Sequence, residues 1–402
     1  MIRNNKRPSR SKLRIKQLRD AQQTAVPQTA DVCVVGGGAA GLVAAIVAAR
    51  KGVRVVVLER DLTCGQTILA TGNGRCNFAN KQLDPTLYNE ADFVLSTCGD
   101  EWLEDVLTFF ASCGLAWEEE AEGRLYPLSR QAASVRNVLL LCAKQSGAVL
   151  APAREVTKIA KKGQGFAVTM REQWENGQEQ CIHAATVVFA SGSNQTSLNK
   201  ELGIALNAQK PVLCPIACTH PLLRQLDGRR VRATATLCRN NANIAVERGE
   251  VLFRTYGLSG IAIFNLSRFA QTRDVIRLDL LPTIGTKDAL ALCVAGLDGL
   301  FDPIVSQVLL DAVITPERAI ALAKSFELTV DGLANTDHAQ IRRGGFATNQ
   351  FDAATLEARQ LPGFFACGEA VDVDGPCGGY NLAWAWKSGS VAGQHAARKA
   401  LQ

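Results

Sequence analysis

The sequence predicts an α/β protein whose main domain is a largely parallel sheet, interrupted by a β-rich second domain with a small helical part. Three stretches carry this prediction. Asp31 to Arg60 reads strand, glycine turn, helix and strand, and Ala185 to Ser191 is an apolar run stopped by small residues. Gly363 to Arg398 then repeats the order of strand, glycine turn and helix. With 402 residues, 47% of them hydrophobic and 20% charged, the chain is long enough for more than one core.

The first segment is basic. Residues 1–20 hold eight Lys or Arg against Asp20 alone, so the formal net charge of +6 leaves the other 382 residues at −1. Residues 1–30 are expected to be a basic flexible arm, with Ser9 to Asp20 able to form a short basic helix. No apolar run of the kind a secretory signal needs is present there. It reads most simply as a solvated arm; binding to nucleic acid or an anionic surface is the lesser reading and would rest on this arm alone, because the body carries no basic excess.

Val32 to Val35 forms a strand leading into Gly36, Gly38 and Gly41, spaced as GxGxxG. Ala40 to Arg50 follows as a helix stopped by Gly52, and Val53 to Leu58 is a second strand ending at Glu59. In a Rossmann-like unit Gly36 permits the tight turn, Gly38 admits a diphosphate to the backbone, and Gly41 lets helix and strand pack. The diphosphate would lie on the N–H groups of the first helical turn, at Ala39 and Ala40, where the peptide dipoles favour negative charge. Glu59, followed by Arg60, falls where a carboxylate accepts hydrogen bonds from a ribose diol, which favours FAD or NAD over NADP. The uncharged run Val32 to Ala49 is not a membrane span, because GGGAAG breaks it.

Cys64 to Asn80 is a glycine-interrupted loop expected to wrap a ligand through Gly74, Arg75, Cys76 and Asn77; a surface loop is its plain alternative. Cys64 and Cys76 are twelve residues apart, which argues against a disulfide relay. The thirteen cysteines include no CxxC, and His183, His220, His338 and His395 are scattered, so no metal site is expected. Without an export signal these cysteines read as reduced thiols of a cytoplasmic protein.

Asp100 to Ala111 and Gln131 to Lys144 have helical periodicity. The acidic run Glu118, Glu119, Glu120 and Glu122 between them reads as a solvated loop. Glu155 to Ala160, Phe166 to Arg171 and Gln180 to His183 read as a hairpin-rich insert, and Ala185 to Ser191, ending at Gly192, as a buried parallel strand. This assigns 31–192 plus 362–402 to the nucleotide domain and 193–361 to the second domain. Within the latter, strands dominate Leu206 to Leu281, Thr255 to Gly260 (TYGLSG) is a turn, and 287–324 is helical with boundaries at Pro303 and Pro316. No second GxGxxG occurs, so a dedicated second nucleotide domain is not expected.

The motifs GGGAAG, GNGRCNFAN, YGLSG, RRGGF and GEAVDVDGPCGGYNLAWAW occur in this order. In these the chain resembles the BaiN/aminoacetone-oxidase-like family of FAD-dependent oxidoreductases, across nearly all of residues 31–396. The resemblance implies a glutathione-reductase-type FAD domain and one non-covalent FAD. It places Arg75, Cys76 and Asn77 along the cofactor, and Val156, Ala190, Ser191 and Gly192 at its adenosine end. Gly368 and Glu369 fall on the ribityl side, and Gly379, Tyr380, Asn381 and Leu382 at the ring edge. The chain departs from the family pattern at Thr255, Ile261 and Arg342 and in the segment after Gly192, positions that border the substrate.

The expected activity is flavin-mediated hydride transfer with a small organic substrate, as an NAD(P)H-linked reductase or an amine-type oxidase, NAD(P)H visiting transiently. Arg75, Asn77, Tyr380 and Asn381 are the candidate catalytic groups, with Tyr256 on the substrate side. The alternative is an FAD-binding protein with a structural or sensory role, tethered to nucleic acid by its basic arm.

Overall fold

A computed structural model describes residues 10–174, 176–192, 198, 202–293 and 296–402. The chain divides into two compact units: one runs to Gln209 and resumes at Arg343, and the other is Lys210–Arg342.

The first unit opens with helix α1 (Arg10–Gln23), strand β1 (Thr29–Val35), helix α2 (Ala39–Ala49) and strand β2 (Val55–Leu58). A small antiparallel sheet, β3 (Ala79–Asn80), β4 (Trp117–Glu119) and β5 (Arg124–Pro127), surrounds helices α3 (Ala91–Cys98) and α4 (Trp102–Ser112) in sequence. Helix α5 (Ala132–Gln145) leads to β6 (Val149–Ala151), β7 (Arg154–Lys162), β8 (Gly165–Glu172) and β9 (Glu179–Phe189). These join β1 and β2 in one sheet of order β6-β2-β1-β9-β8-β7, with β18 (Phe364–Ala366) also pairing β9. The closing helix is α10 (Tyr380–Ala400).

β1 is flanked by parallel partners on both sides: Val32–Val35 pair with Val55–Leu58 and with Thr186–Phe189. A strand so enclosed must be apolar on both faces, and Val32, Cys33 and Val34 are fully buried. The strands read as a hairpin-rich insert are therefore part of the nucleotide sheet. Gln180 to His183 and Ala185 to Phe189 are one strand, β9, ending before Ala190 and Ser191; its first part pairs antiparallel with β8 and its end parallel with β1 and β18.

The chain passes between the units along β10 (Leu206–Val212) and β17 (Ile341–Phe346), which pair with each other. The second unit is a closed barrel of β11 (Ile216–Thr219), β12 (Arg230–Arg239), β13 (Ala242–Arg254), β14 (Gly257–Ser259), β15 (Val275–Asp279) and β16 (Phe326–Leu333). It has its own core, and carries α6 (Ile261–Ser267), α7 (Thr286–Leu292), α8 (Pro303–Val313) and α9 (Pro316–Lys324). Pro303 and Pro316 each open a helix, the position where a missing N–H costs nothing. TYGLSG contains β14 rather than only a turn.

Three expected boundaries differ from the compact units. The second unit starts at Lys210 rather than at 193, because Leu198 and Ile204 are buried in the first unit's core. Residues around 346–361 do not belong with the barrel, because Phe346, Phe351, Leu356 and Ala358 are buried in the first unit's core. The arm differs as well: residues 10–23 are helical and fixed at Ala21, which is fully buried. Residues 1–9 and most of the segment after Gly192 lie outside the described residues. Among the described residues no helix is long and apolar enough to cross a membrane, and no group of His, Cys, Asp and Glu could hold a metal.

Candidate active site

β1 delivers Gly36 at φ +99°, and a Cβ there would sit 2.6 Å from the Ala190 carbonyl oxygen and 2.8 Å from the Ser191 Cα. A Cβ at Gly41 would collide with the Gly36 carbonyl oxygen. Both glycines are thus required by the chain's own packing. Gly38 is different: it lies at φ −78°, and its Cβ would meet only the Thr67 hydroxyl at 3.7 Å. The space before the α2 N-terminus is open to something the protein does not supply. No side chain caps that terminus, so its first N–H groups face this space without an intrahelical acceptor. An uncapped turn with room at Gly38 fits a diphosphate.

Glu59 follows β2 and bends back toward the turn. Its Oε2 accepts from the Gly37 N–H at 2.6 Å and its Oε1 from the Asp61 N–H at 2.8 Å. Burial pushes the Glu59 carboxyl up, against the lowering effect of those two backbone donors. Arg60 points outward beside Asp61. Val156 is buried on β7, two residues from Arg154, whose N–H donates to the Glu59 carbonyl at 2.7 Å.

The C-terminal segment meets the same turn. A Cβ on Gly368 (φ +62°) would lie 2.8 Å from the Ala40 Cβ, and side chains at Gly389 and Gly393 would strike the carbonyls of Ala40 and Ala44. α10 therefore packs with its backbone nearly against α2. Gly368 is held by the Ser388 hydroxyl, which accepts its N–H at 2.9 Å, and by the Trp384 indole, which donates to its carbonyl at 3.1 Å. Beside it, burial lifts the Glu369 carboxyl to about 7. Gly379 (φ +101°) is the residue before α10, and a Cβ there would come within 3.0 Å of Asn77 Oδ1 and close on the Ala79 carbonyl. The loop read as ligand-wrapping thus lies over the N-terminus of α10. Asn77 Oδ1 and Ser191 Oγ are buried without a hydrogen-bond partner among the described residues, and a bound ligand would supply one.

The remaining candidates hold varied positions. Arg75 pairs with Glu120 at 3.3 Å and lies 4.6 Å over the Tyr126 ring. The acidic run is accordingly an ion-paired edge of the small sheet, Lys81, Arg124 and Arg130 taking Glu119, Glu122 and Glu118. Cys76 is fully buried at φ +58°, and burial raises its thiol to about 11, which leaves it protonated. The Tyr380 hydroxyl donates to the Gln82 carbonyl at 2.6 Å. The Asn381 amide accepts from Gly375 N–H at 2.8 Å and donates to the Gly375 carbonyl at 2.9 Å. These two side chains are thereby engaged in bracing the chain on either side of the 375–380 turn. Tyr256, in the other unit, accepts from Asn335 through its hydroxyl at 3.2 Å.

Sequence reasoning did not anticipate the polar support behind RRGGF and DVDG. Asp372 accepts from Asn207 at 2.7 Å and from the Gly344 N–H at 2.8 Å, and Arg343 Nη2 donates to buried Asp374 at 2.8 Å. The acids of DVD were the available signal.

A family profile described as the HI0933-like protein Rossmann domain matches residues 30–395. The chain belongs to this family. HI0933-like relatives include the 3-dehydro-bile acid delta(4,6)-reductase of Clostridium scindens, 30% identical over 91% of this chain and 98% of that protein. The ribosomal RNA dihydrouridine synthase of Escherichia coli is 27% identical over 90% of this chain and 97% of its own length. Among solved structures, the 3-ketosteroid-delta4-(5alpha)-dehydrogenase of Rhodococcus jostii RHA1 shares the fold, with a TM-score of 0.50 and 16% identity over 93% of this chain and 98% of that one. Membership makes this HI0933-like chain an FAD-dependent oxidoreductase, and the open glycine cradle and unpartnered buried oxygens suit that cofactor.

Proposed function

We propose that this protein is an FAD-dependent reductase that adds hydrogen across a carbon–carbon double bond conjugated to a carbonyl, with NAD(P)H as the electron donor. The direction rests on one observation: the bile-acid delta(4,6)-reductase and the dihydrouridine synthase, each aligned over about nine-tenths of this chain, both carry names that specify saturation of such a bond. Bound FAD supplies the hydride chemistry.

The chain's residues have separable tasks in this reading. The first N–H groups of α2, at Ala39 and Ala40, hold the diphosphate, and Glu59 receives the ribose diol. Ser191 and Asn77 offer their buried oxygens along the cleft, and Glu369 lies on the ribityl side. The N-terminus of α10, entered through Gly379, would turn its positive dipole end to the ring edge, where negative charge gathers on reduction. Cys76, buried and protonated, takes no part in electron relay.

The test is anaerobic. NADPH or NADH should bleach the yellow protein, and a cyclic enone or a uracil ring should restore the colour with the double bond saturated. Bleaching by amines alone, with peroxide formed on admitting air, would replace the reductase with an oxidase.

A further inference from the structure

Helix α1 plays no part in the cradle and precedes the stretch that matches the family, residues 30–395. Its sequence, RSKLRIKQLRDAQQ, carries five Lys or Arg against Asp20. Lys12, Arg14, Lys16 and Arg19 are all exposed.

The helix is mounted on the body rather than trailing from it. Arg154, only 2% exposed, donates through both terminal nitrogens to the Ala21 carbonyl at 3.4 Å, through Nη2 to the Thr24 carbonyl at 3.4 Å and through Nη1 to the Pro152 carbonyl at 3.0 Å. Its guanidinium lies 4.2 Å over the Trp174 ring, with Glu172 at 3.7 Å. A cation is placed where the last carbonyls of α1 lack intrahelical donors, and the far end of the rod is left in solvent. Burying a guanidinium is costly unless donors are matched; the two terminal nitrogens find carbonyl acceptors while Nε does not, and those carbonyl contacts fix where the basic helix stands.

We propose that α1 is a docking element for nucleic acid, engaging the phosphate backbone through Arg14, Lys16 and Arg19. Charge complementarity selects a polyanion, and the distribution of side chains selects among polyanions. A helix that lies in a lipid interface gathers its apolar residues on one face. Here Leu13 and Ile15, 45% and 52% exposed, are two positions apart and so about 200° apart around the axis, with cations between them on both sides, while Leu18, about 60° from Ile15, is half-buried. The apolar side of the helix, Leu18 and Ala21, is turned to the body and so not free to insert, whereas its exposed cations can lie along a phosphate chain. Such binding is independent of sequence and weakens steeply with salt. The proposal does not depend on which bond the flavin reduces.

The experiment uses the full-length flavoprotein and a short fluorescent RNA hairpin, followed by anisotropy across salt. The triple variant Arg14→Gln, Lys16→Gln, Arg19→Gln should lose affinity. Between about 50 and 200 mM salt its binding should change about 20- to 40-fold less than wild type, the difference three phosphate contacts make. Flavin content, melting temperature and turnover of a small enone should be unchanged, which separates docking from the reductase reading. The charge-conserving variant Arg14→Lys, Lys16→Arg, Arg19→Lys should bind as wild type does. Equal RNA binding by the Gln variant overturns the proposal, as does a wild type that ignores the hairpin. Sedimentation with phosphatidylserine vesicles without RNA binding would also overturn it, in favour of a membrane surface.

Discussion

Gly38→Val separates a glycine kept for the ligand from glycines kept for the fold. Gly38 has ordinary backbone angles and an open Cβ position, with only the Thr67 hydroxyl at 3.7 Å. The protein itself therefore tolerates a side chain there. The expected cost to the apoprotein is that of a poorer helix N-cap, about 1 kcal/mol, a few degrees in melting temperature. The cofactor feels something else. The isopropyl group occupies the space in front of the Ala39 and Ala40 N–H groups, and a displaced diphosphate loses two hydrogen bonds to a charged acceptor at about 1.5–3 kcal/mol each. That is a loss of about 100-fold to 20,000-fold in FAD affinity.

The assay is the ratio of flavin to protein absorbance after purification, then titration of deflavinated protein with FAD, with apoprotein melting compared in parallel. Gly41→Ala is the control of opposite kind: its methyl would strike the Gly36 carbonyl, so the apoprotein should be destabilised before any flavin is added. A Gly38→Val protein with full flavin content and wild-type affinity would refute the placement of the diphosphate. A Gly38→Val apoprotein as unstable as Gly41→Ala would refute the distinction itself.

Glu369 should make apoprotein stability depend on pH: its folded value of about 7 exceeds its ordinary 4.5, so its contribution is fully present below 4.5 and is lost as pH rises through 7. Urea unfolding across that range should show a flatter profile for Glu369→Gln than for wild type. Arg343→Ala leaves the Asp374 carboxylate, 1% exposed, without the guanidinium and should cost about 3–5 kcal/mol in the same measurement; a change below 1 kcal/mol would mean water already serves that group. With a soluble thiol reagent, exposed Cys181 should react first in the native protein, while buried Cys33, Cys64 and Cys367, their thiols pushed up by burial, should react only on unfolding. Labelling of Cys367 in native holoprotein would show that the core opens.

What could be read from the sequence was local. The run from Val32 to Glu59 carries its strand, turn, helix and acid within one short segment, and Pro303 and Pro316 mark helix starts by their own chemistry. What could not be read depends on partners distant in the chain. The strands between Arg154 and Phe189 look like an isolated hairpin until Phe364–Ala366 and Thr29–Val35 pair with the last of them. The barrel's limits fell inside the expected ones because Phe346, Phe351 and Leu356 are buried among first-unit residues, which hydrophobicity alone does not reveal. Gly389 and Gly393, four apart on α10, look like weak points in a helix until α2 is seen lying across them.

The same logic explains why the motif residues divide into two kinds. Tyr380 and Asn381 have side chains suited to catalysis, and residue type alone could not show that the Gln82 carbonyl and the Gly375 backbone already occupy them. Asn77 and Ser191 have comparable groups, buried and unmatched. Burying an oxygen without a donor costs about 1–3 kcal/mol, and a fold keeps that cost where a ligand offsets it. Arg154 Nε and Ser306 Oγ are unmatched as well, so an unsatisfied atom points to the cofactor only where, as at Asn77 and Ser191, it lies by the glycine turns. Asn77→Leu, which removes the unmatched oxygen at similar size, should leave the apoprotein as stable or more so while weakening FAD binding. A less stable apoprotein would mean that the Asn77 oxygen has a partner within the protein.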